Sequence, residues 1–132
     1  MEFPIYTALT ASIILILQLS LMLMVGFARL RNDIPLGEGG NQELLQAIRR
    51  HGNLAENAPI FLLVLGLGEM LAGSTTLVLA LGVSFIVVRV AHAIGLTMGT
   101  GANAPRAIGA FGTLLAGVIV AVYVAYLALN LL

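Results

Sequence analysis

Residues 49–59 read Arg-Arg-His-Gly-Asn-Leu-Ala-Glu-Asn-Ala-Pro and run without a break into the apolar stretch 60–68. At helical spacing Arg49, Asn53 and Glu56 (i, i+4, i+7) share one face, with Arg50 and Asn57 on the adjacent stripe. Arg89 and His92 (i, i+3) form a second short stripe, and Arg29 and Arg106 border two further apolar runs. A helix that leaves the bilayer near Leu71 and needs ~20 residues to cross must begin near Gly52. Asn53, Glu56 and Asn57 then lie inside the hydrocarbon layer. Polar groups there are costly unless partnered, and an embedded acid marks a functional site by default.

One carboxylate cannot neutralise Arg49, Arg89 and Arg106 with Arg29 close by. Surplus positive charge that faces a cavity is a site for an anion. Guanidinium groups take carboxylates in paired hydrogen bonds, so a ligand with more than one carboxylate suits the cluster. Cations also lower the pKa of a thiol from its free value of about 8.5. An arginine at the membrane interface can therefore hold an anionic thiol cosubstrate as thiolate, ready for an apolar electrophile dissolved in the bilayer. Structural roles stand beside these. Arg29, Arg31 and Arg50 can snorkel to lipid phosphates, Arg89 can pair with Glu56, and His92 alone can be a packing histidine.

The composition narrows the classes. Of 132 residues, 60% are hydrophobic and only 9% charged, with a mean hydropathy of +1.06. A soluble domain carries roughly 25% charged residues, so this is an integral membrane protein, of one domain spanning 1–132. Net charge is zero, which gives nucleic acid no basic surface to bind. The absence of cysteine removes disulfides, thiolate metal sites and a protein-borne thiol nucleophile together. Two histidines and few embedded acids leave no metal site to expect. The Gly-Glu-Gly-Gly run at 37–40 lacks the ending and the preceding strand of a phosphate loop.

Residues 3–28, 70–88 and 107–132 carry no charge, and 57–68 needs the polar segment before it to reach across. Four helices follow, at about 4–28, 43–71, 75–97 and 105–131: an all-α, membrane-embedded four-helix bundle. The first opens with Glu2 and has a longer apolar run than a signal peptide core, so a retained helix is expected. All six basic residues are arginines: four flank the first loop and Arg106 follows the third helix. The positive-inside rule places loops one and three in the cytoplasm and both termini outside. The polar ends of all four helices then meet in the cytoplasmic half of the membrane. Pro35, Gly37, Gly39 and Gly40 predict a flexible first loop. Gly109, Thr113 and Gly117 predict close packing of the last helix, within the chain or between subunits. Four helices are few to enclose a polar site, which favours an oligomer.

Taken in order, one element per helix, the motifs resemble the MAPEG family, the membrane-associated proteins in eicosanoid and glutathione metabolism. They are Arg29-Leu-Arg31, Arg49-x-His51-x-Asn53-x-x-Glu56, Arg89-Val-Ala-His92 and Ala104-Pro105-Arg106. The likeness covers essentially the whole chain, and the His51-Gly52-Asn53 spelling is similar to bacterial members. It implies a homotrimer with glutathione as cosubstrate between neighbouring subunits, in a bacterial inner membrane. Arg29, Asn53, Glu56 and His92 match glutathione contacts of the family, and Arg49 and Arg89 match supporting polar positions. Arg106 matches the arginine that stabilises the glutathione thiolate. Three positions depart from the pattern. Gly52 stands where several members have a glutathione-binding arginine, Leu96 where a tyrosine often lines the site, and Ala107 where a serine is sometimes implicated.

The resemblance implies a membrane glutathione transferase acting on hydrophobic electrophiles from the bilayer, with reduction of lipid hydroperoxides as a second activity. The alternative is a non-catalytic lipid- or small-ligand-binding membrane protein. A proton-coupled exporter fits less well, because such a protein wants an acid deep in its first helix. Here that helix has no charge between Glu2 and Arg29, and Gln18 is its most polar interior group.

Overall fold

The apolar runs become four helices in the computed structural model, which describes residues 3–99 and 101–132: α1 (Ile5–Asn32), α2 (Gln42–Ala72), α3 (Thr76–Thr97) and α4 (Ala104–Leu129). Glu2, part of the case for a retained first helix, lies outside the described residues. All four helices are long and apolar enough to cross a membrane. Most large apolar side chains point outward, among them Leu15, Ile16, Phe27, Phe111 and Leu114. That surface is wrong for water and right for lipid.

Helix α2 packs against the other three, as α3 does, whereas α1 and α4 do not touch among the described residues. The core runs along its inner face: Leu54, Ala58, Phe61 and Leu65 of α2 meet Ile14 and Leu21, Val78, Leu81 and Phe85, and Ala116 and Val120. Phe61 and Phe85 stack face to face, with centroids 3.8 Å apart and planes within 5°. Their contact fixes α3 against α2 one to two turns from the polar residues of both helices.

Arg29 and Arg31 were expected to close helix one near residue 28, yet α1 continues to Asn32. Long arginine side chains carry their charge to the interface without ending the helix. Asp33 stops it, in the left-handed conformation at φ 52°. The first loop is tied down rather than flexible. Arg29 Nη1 donates to the carbonyls of Ile34 (3.2 Å) and Gly37 (2.9 Å). Asn41 Nδ2 donates to Asn32 Oδ1 at 2.7 Å, and its own Oδ1 caps α2 by accepting from the Leu44 N–H at 2.9 Å. Arg31 forms an ion pair with Glu43.

At the opposite end lies a carboxylate that the sequence reading passed over. Glu69 is fully buried, at 0% exposure. Pro4 precedes α1 and supplies no side-chain cap, so the first amides of the helix need an acceptor from elsewhere. Glu69 provides it from 62 and 63 residues away: Oε1 accepts from the Tyr6 N–H at 2.8 Å and Oε2 from the Thr7 N–H at 2.7 Å. Ser74 Oγ also donates to Oε1 at 2.6 Å. A negative charge at a helix N-terminus is doubly favoured, by hydrogen bonding and by the helix dipole. Removing it should strand one buried and one part-buried amide. Glu69→Ala is expected to cost about 3 kcal/mol, since each unsatisfied buried group costs roughly 1–3 kcal/mol. Exposed Glu38→Ala should change stability by less than about 0.5 kcal/mol. Denaturant titration in mixed micelles measures both, and equal stabilities would refute the role given to Glu69.

Candidate functional site

The ends of α2, α3 and α4 nearest the first and third loops build a polar cavity of about 560 Å³. Arg49, Asn53 and Glu56 enter it from α2, His92 from α3 and Arg106 from α4. Gly52 and Leu96, two of the three departures from the family pattern, are also in its wall, and Ala107 is not. The i, i+4, i+7 spacing delivers the α2 residues to one face. Arg49 and Glu56 are exposed at the protomer surface, while Asn53 and Arg106 are half-buried. A Cβ on Gly52 would stand 4.0 Å from Glu56 Oε1, so its absence leaves open space beside that carboxylate.

Two glycines bring α3 and α4 close enough for His92 and Arg106 to share the cavity. A Cβ on Gly95 would lie 2.7 Å from the Arg106 Cα, and one on Gly109 would lie 2.6 Å from the His92 Cα. Neither position admits a side chain without parting the helices. Asn103 completes the joint. Its Oδ1 accepts from the Arg106 N–H at 3.0 Å, capping α4, and its Nδ2 donates to the Gly95 carbonyl at 2.8 Å. Nothing in the sequence reading set Asn103 apart from the other loop residues. The signal was there: an Asn directly before a helix that opens Ala-Pro-Arg is a preferred cap.

Beside this cavity lies a second, mostly apolar cleft of about 500 Å³, and the two share Asn53 and His92. Ile60, Phe61, Val64, Phe85 and Leu114 supply apolar wall, and Arg89 and Thr113 supply polar groups. Arg89 lies in this cleft and not in the polar cavity. A pairing of Arg89 with Glu56 does not form. Its Nη2 instead donates to Asn53 Oδ1 at 2.6 Å, and its Nη1 to Thr113 Oγ1 at 3.1 Å. The reason is geometric: Arg89 is 3% exposed, between the helices, whereas Glu56 faces outward. Arg29 is the other expected residue outside the polar cavity, its Nη1 donating to carbonyls of the first loop. The small residues of α4 divide. Gly109 packs within the chain, and Gly117 has open space and lines the apolar cleft.

An α-helical membrane protein with a polar, arginine-bearing cavity against an apolar cleft is thus defined. The MAPEG family model matches residues 7–126, and the chain belongs to that family. No curated protein matches the chain.

Two substitutions test how the cavity is built. Asn103→Ala should lower stability by about 1 kcal/mol, the usual worth of a cap. Amide exchange at 104–108, followed by mass spectrometry, should rise while exchange in the middle of α2 stays put. Gly109→Val should overpack the α3–α4 joint at a cost of about 1–3 kcal/mol. A variant as stable as the parent would show that the joint has slack.

Proposed function

We propose that this chain is a membrane glutathione transferase, with reduction of lipid hydroperoxides as a second activity. The observation that carries the reading is the joining of two unlike compartments. A polar cavity holding Arg49, Asn53, Glu56, His92 and Arg106 adjoins an apolar cleft through a wall of Asn53 and His92. Membership of a family that includes glutathione transferases supports the choice of thiol.

In this reading glutathione lies in the polar cavity. Glu56 accepts from its amino group and the arginines take its carboxylates, with Asn53 and His92 as further contacts. Arg106 stabilises the thiolate, whose attack on an apolar electrophile is activated electrostatically. Arg29, held on its own loop, reaches the ligand of a neighbouring subunit in a homotrimer. The site faces the cytoplasm, on a bacterial inner membrane with both termini outside.

Calorimetry with glutathione on the protein in nanodiscs, beside an Arg106→Ala variant, is the direct test. Saturable binding by the parent, with an ultraviolet thiolate signal that the variant loses, is the expected outcome. Loss of one such electrostatic donor should lower turnover of a model electrophile about 100-fold or more. No binding at millimolar glutathione by folded protein would sink the transferase reading and favour a lipid- or small-ligand-binding role.

A further inference from the structure

A groove of about 480 Å³ lies between the last turns of α1 and the first turns of α2. It shares no lining residue with the polar cavity or the apolar cleft. Met24, Phe27 and Leu30 stand exposed on its wall, and the small, buried Ala28 and Ala47 leave it room between the helices. Its polar groups are Arg31, Glu43 and Arg50. Arg50 is half-buried, and its Nε donates to the Gln46 carbonyl one turn back at 3.4 Å. That bond leaves both terminal nitrogens without a hydrogen-bond partner among the described residues. Glu43 is the acid of the groove, but its two oxygens already accept from Arg31 and from Asn32 Nδ2. Two arginines against one carboxylate leave the groove in positive excess.

Depth decides what neutralises that excess. Counting ~20 residues back from Leu71 puts the edge of the hydrocarbon near Gly52. Arg50 is about 3 Å further out at the helical rise, which is the level of lipid phosphates. Phe27 and Met24, one and two turns before Arg31 on α1, lie on the hydrocarbon side of that level. An occupant must therefore offer an anion to Arg50 and hydrocarbon to Phe27 and Met24. Free phosphate lacks the second. A zwitterionic lipid brings a further cation into the groove, or has to displace Arg31 from Glu43. A phospholipid with one net negative charge meets both conditions.

We propose that the groove between α1 and α2 binds one monoanionic glycerophospholipid, its phosphate oxygens accepting paired hydrogen bonds from Arg50 and its acyl chain lying on Met24 and Phe27. A guanidinium meets a phosphate at two points, a geometry that a lysine ammonium does not reproduce. Basic pockets between membrane helices hold anionic headgroups in this way. The bound lipid joins the end of α1 to the start of α2. It does so whether or not the polar cavity takes a thiol, since the two share no residue.

Native mass spectrometry of the whole protein, released from mixed micelles, tests the site. Phosphatidylglycerol and phosphatidylcholine of matched chains are supplied in equal amounts. One retained phosphatidylglycerol per chain, preferred over phosphatidylcholine by about tenfold or more, is expected. Arg50→Gln should abolish the preference. Arg50→Lys should lose most of it, because the charge stays and the paired hydrogen bonds go. Equal retention of the two lipids by the parent overturns the proposal, and that result stands even if neither variant folds. A preference unchanged in Arg50→Gln overturns it by placing the lipid elsewhere. A preference unchanged in Arg50→Lys overturns it in favour of diffuse charge attraction. Displacement of the lipid by millimolar inorganic phosphate makes the ligand a soluble anion, and displacement by glutathione assigns Arg50 to the thiol. Either result overturns the lipid site.

Discussion

A guanidinium buried between three helices, with no carboxylate partner among the described residues, constrains everything packed around it. A charge in that position is tolerated only when its hydrogen bonds are supplied by neighbours in fixed places. Arg89 finds them on α2 through Asn53 and on α4 through Thr113. The rotation of α2 and the register of α4 are thereby coupled to α3. Thr113 is itself held, because its hydroxyl donates to the Gly109 carbonyl at 2.7 Å. Gly109 is the residue that lets α4 close on the backbone of His92. One chain of contacts thus runs from the charge in the cleft to the two helices that frame the polar cavity.

Much of this was legible from residue types and spacing. Long apolar runs fix the spans, because a helix must cross a layer of known thickness. The i, i+4, i+7 spacing put Arg49, Asn53 and Glu56 on one face whatever the bundle did elsewhere. The partner of Arg89 was not legible, because Glu56 and Asn53 are within one turn of each other. Only the rotation of α2 decides which of them faces α3. Opposite charge argued for Glu56, and the packing chose the amide. The tie between Arg29 and its loop was hidden for a similar reason: backbone carbonyls are acceptors that a side-chain inventory does not count.

Glu69 shows a different blind spot. Read locally, it is an acid near a helix end, at the interface, and needs no explanation. Its role appears only when the amides at the start of α1 are followed to their acceptors. Pro4 offers no cap, and Glu69 answers from the end of α2. The first helix is therefore fastened at both ends, by this carboxylate and by the hydrogen bonds around Asn32 and Asn41. Its middle is held by apolar contacts such as Ile14 and Leu21, and by Gln18 Nε2, which donates to the His51 carbonyl at 3.4 Å. Fixed ends suit a helix whose outer side faces lipid, where packing supplies little preference for one position.

The separation of the polar cavity from the apolar cleft follows from the same economy of polar groups. Among the described residues the two share Asn53 and His92, and the arginine-bearing cavity has Leu45, Ile48 and Leu96 in its wall as well. Asn53 is also bound to Arg89, so the shared wall is held in place by the charge on the apolar side. On the cleft's rim Ile60, Leu114 and Val118 are exposed on the lipid-compatible surface. The boundary between the two cavities is thus one asparagine and one histidine.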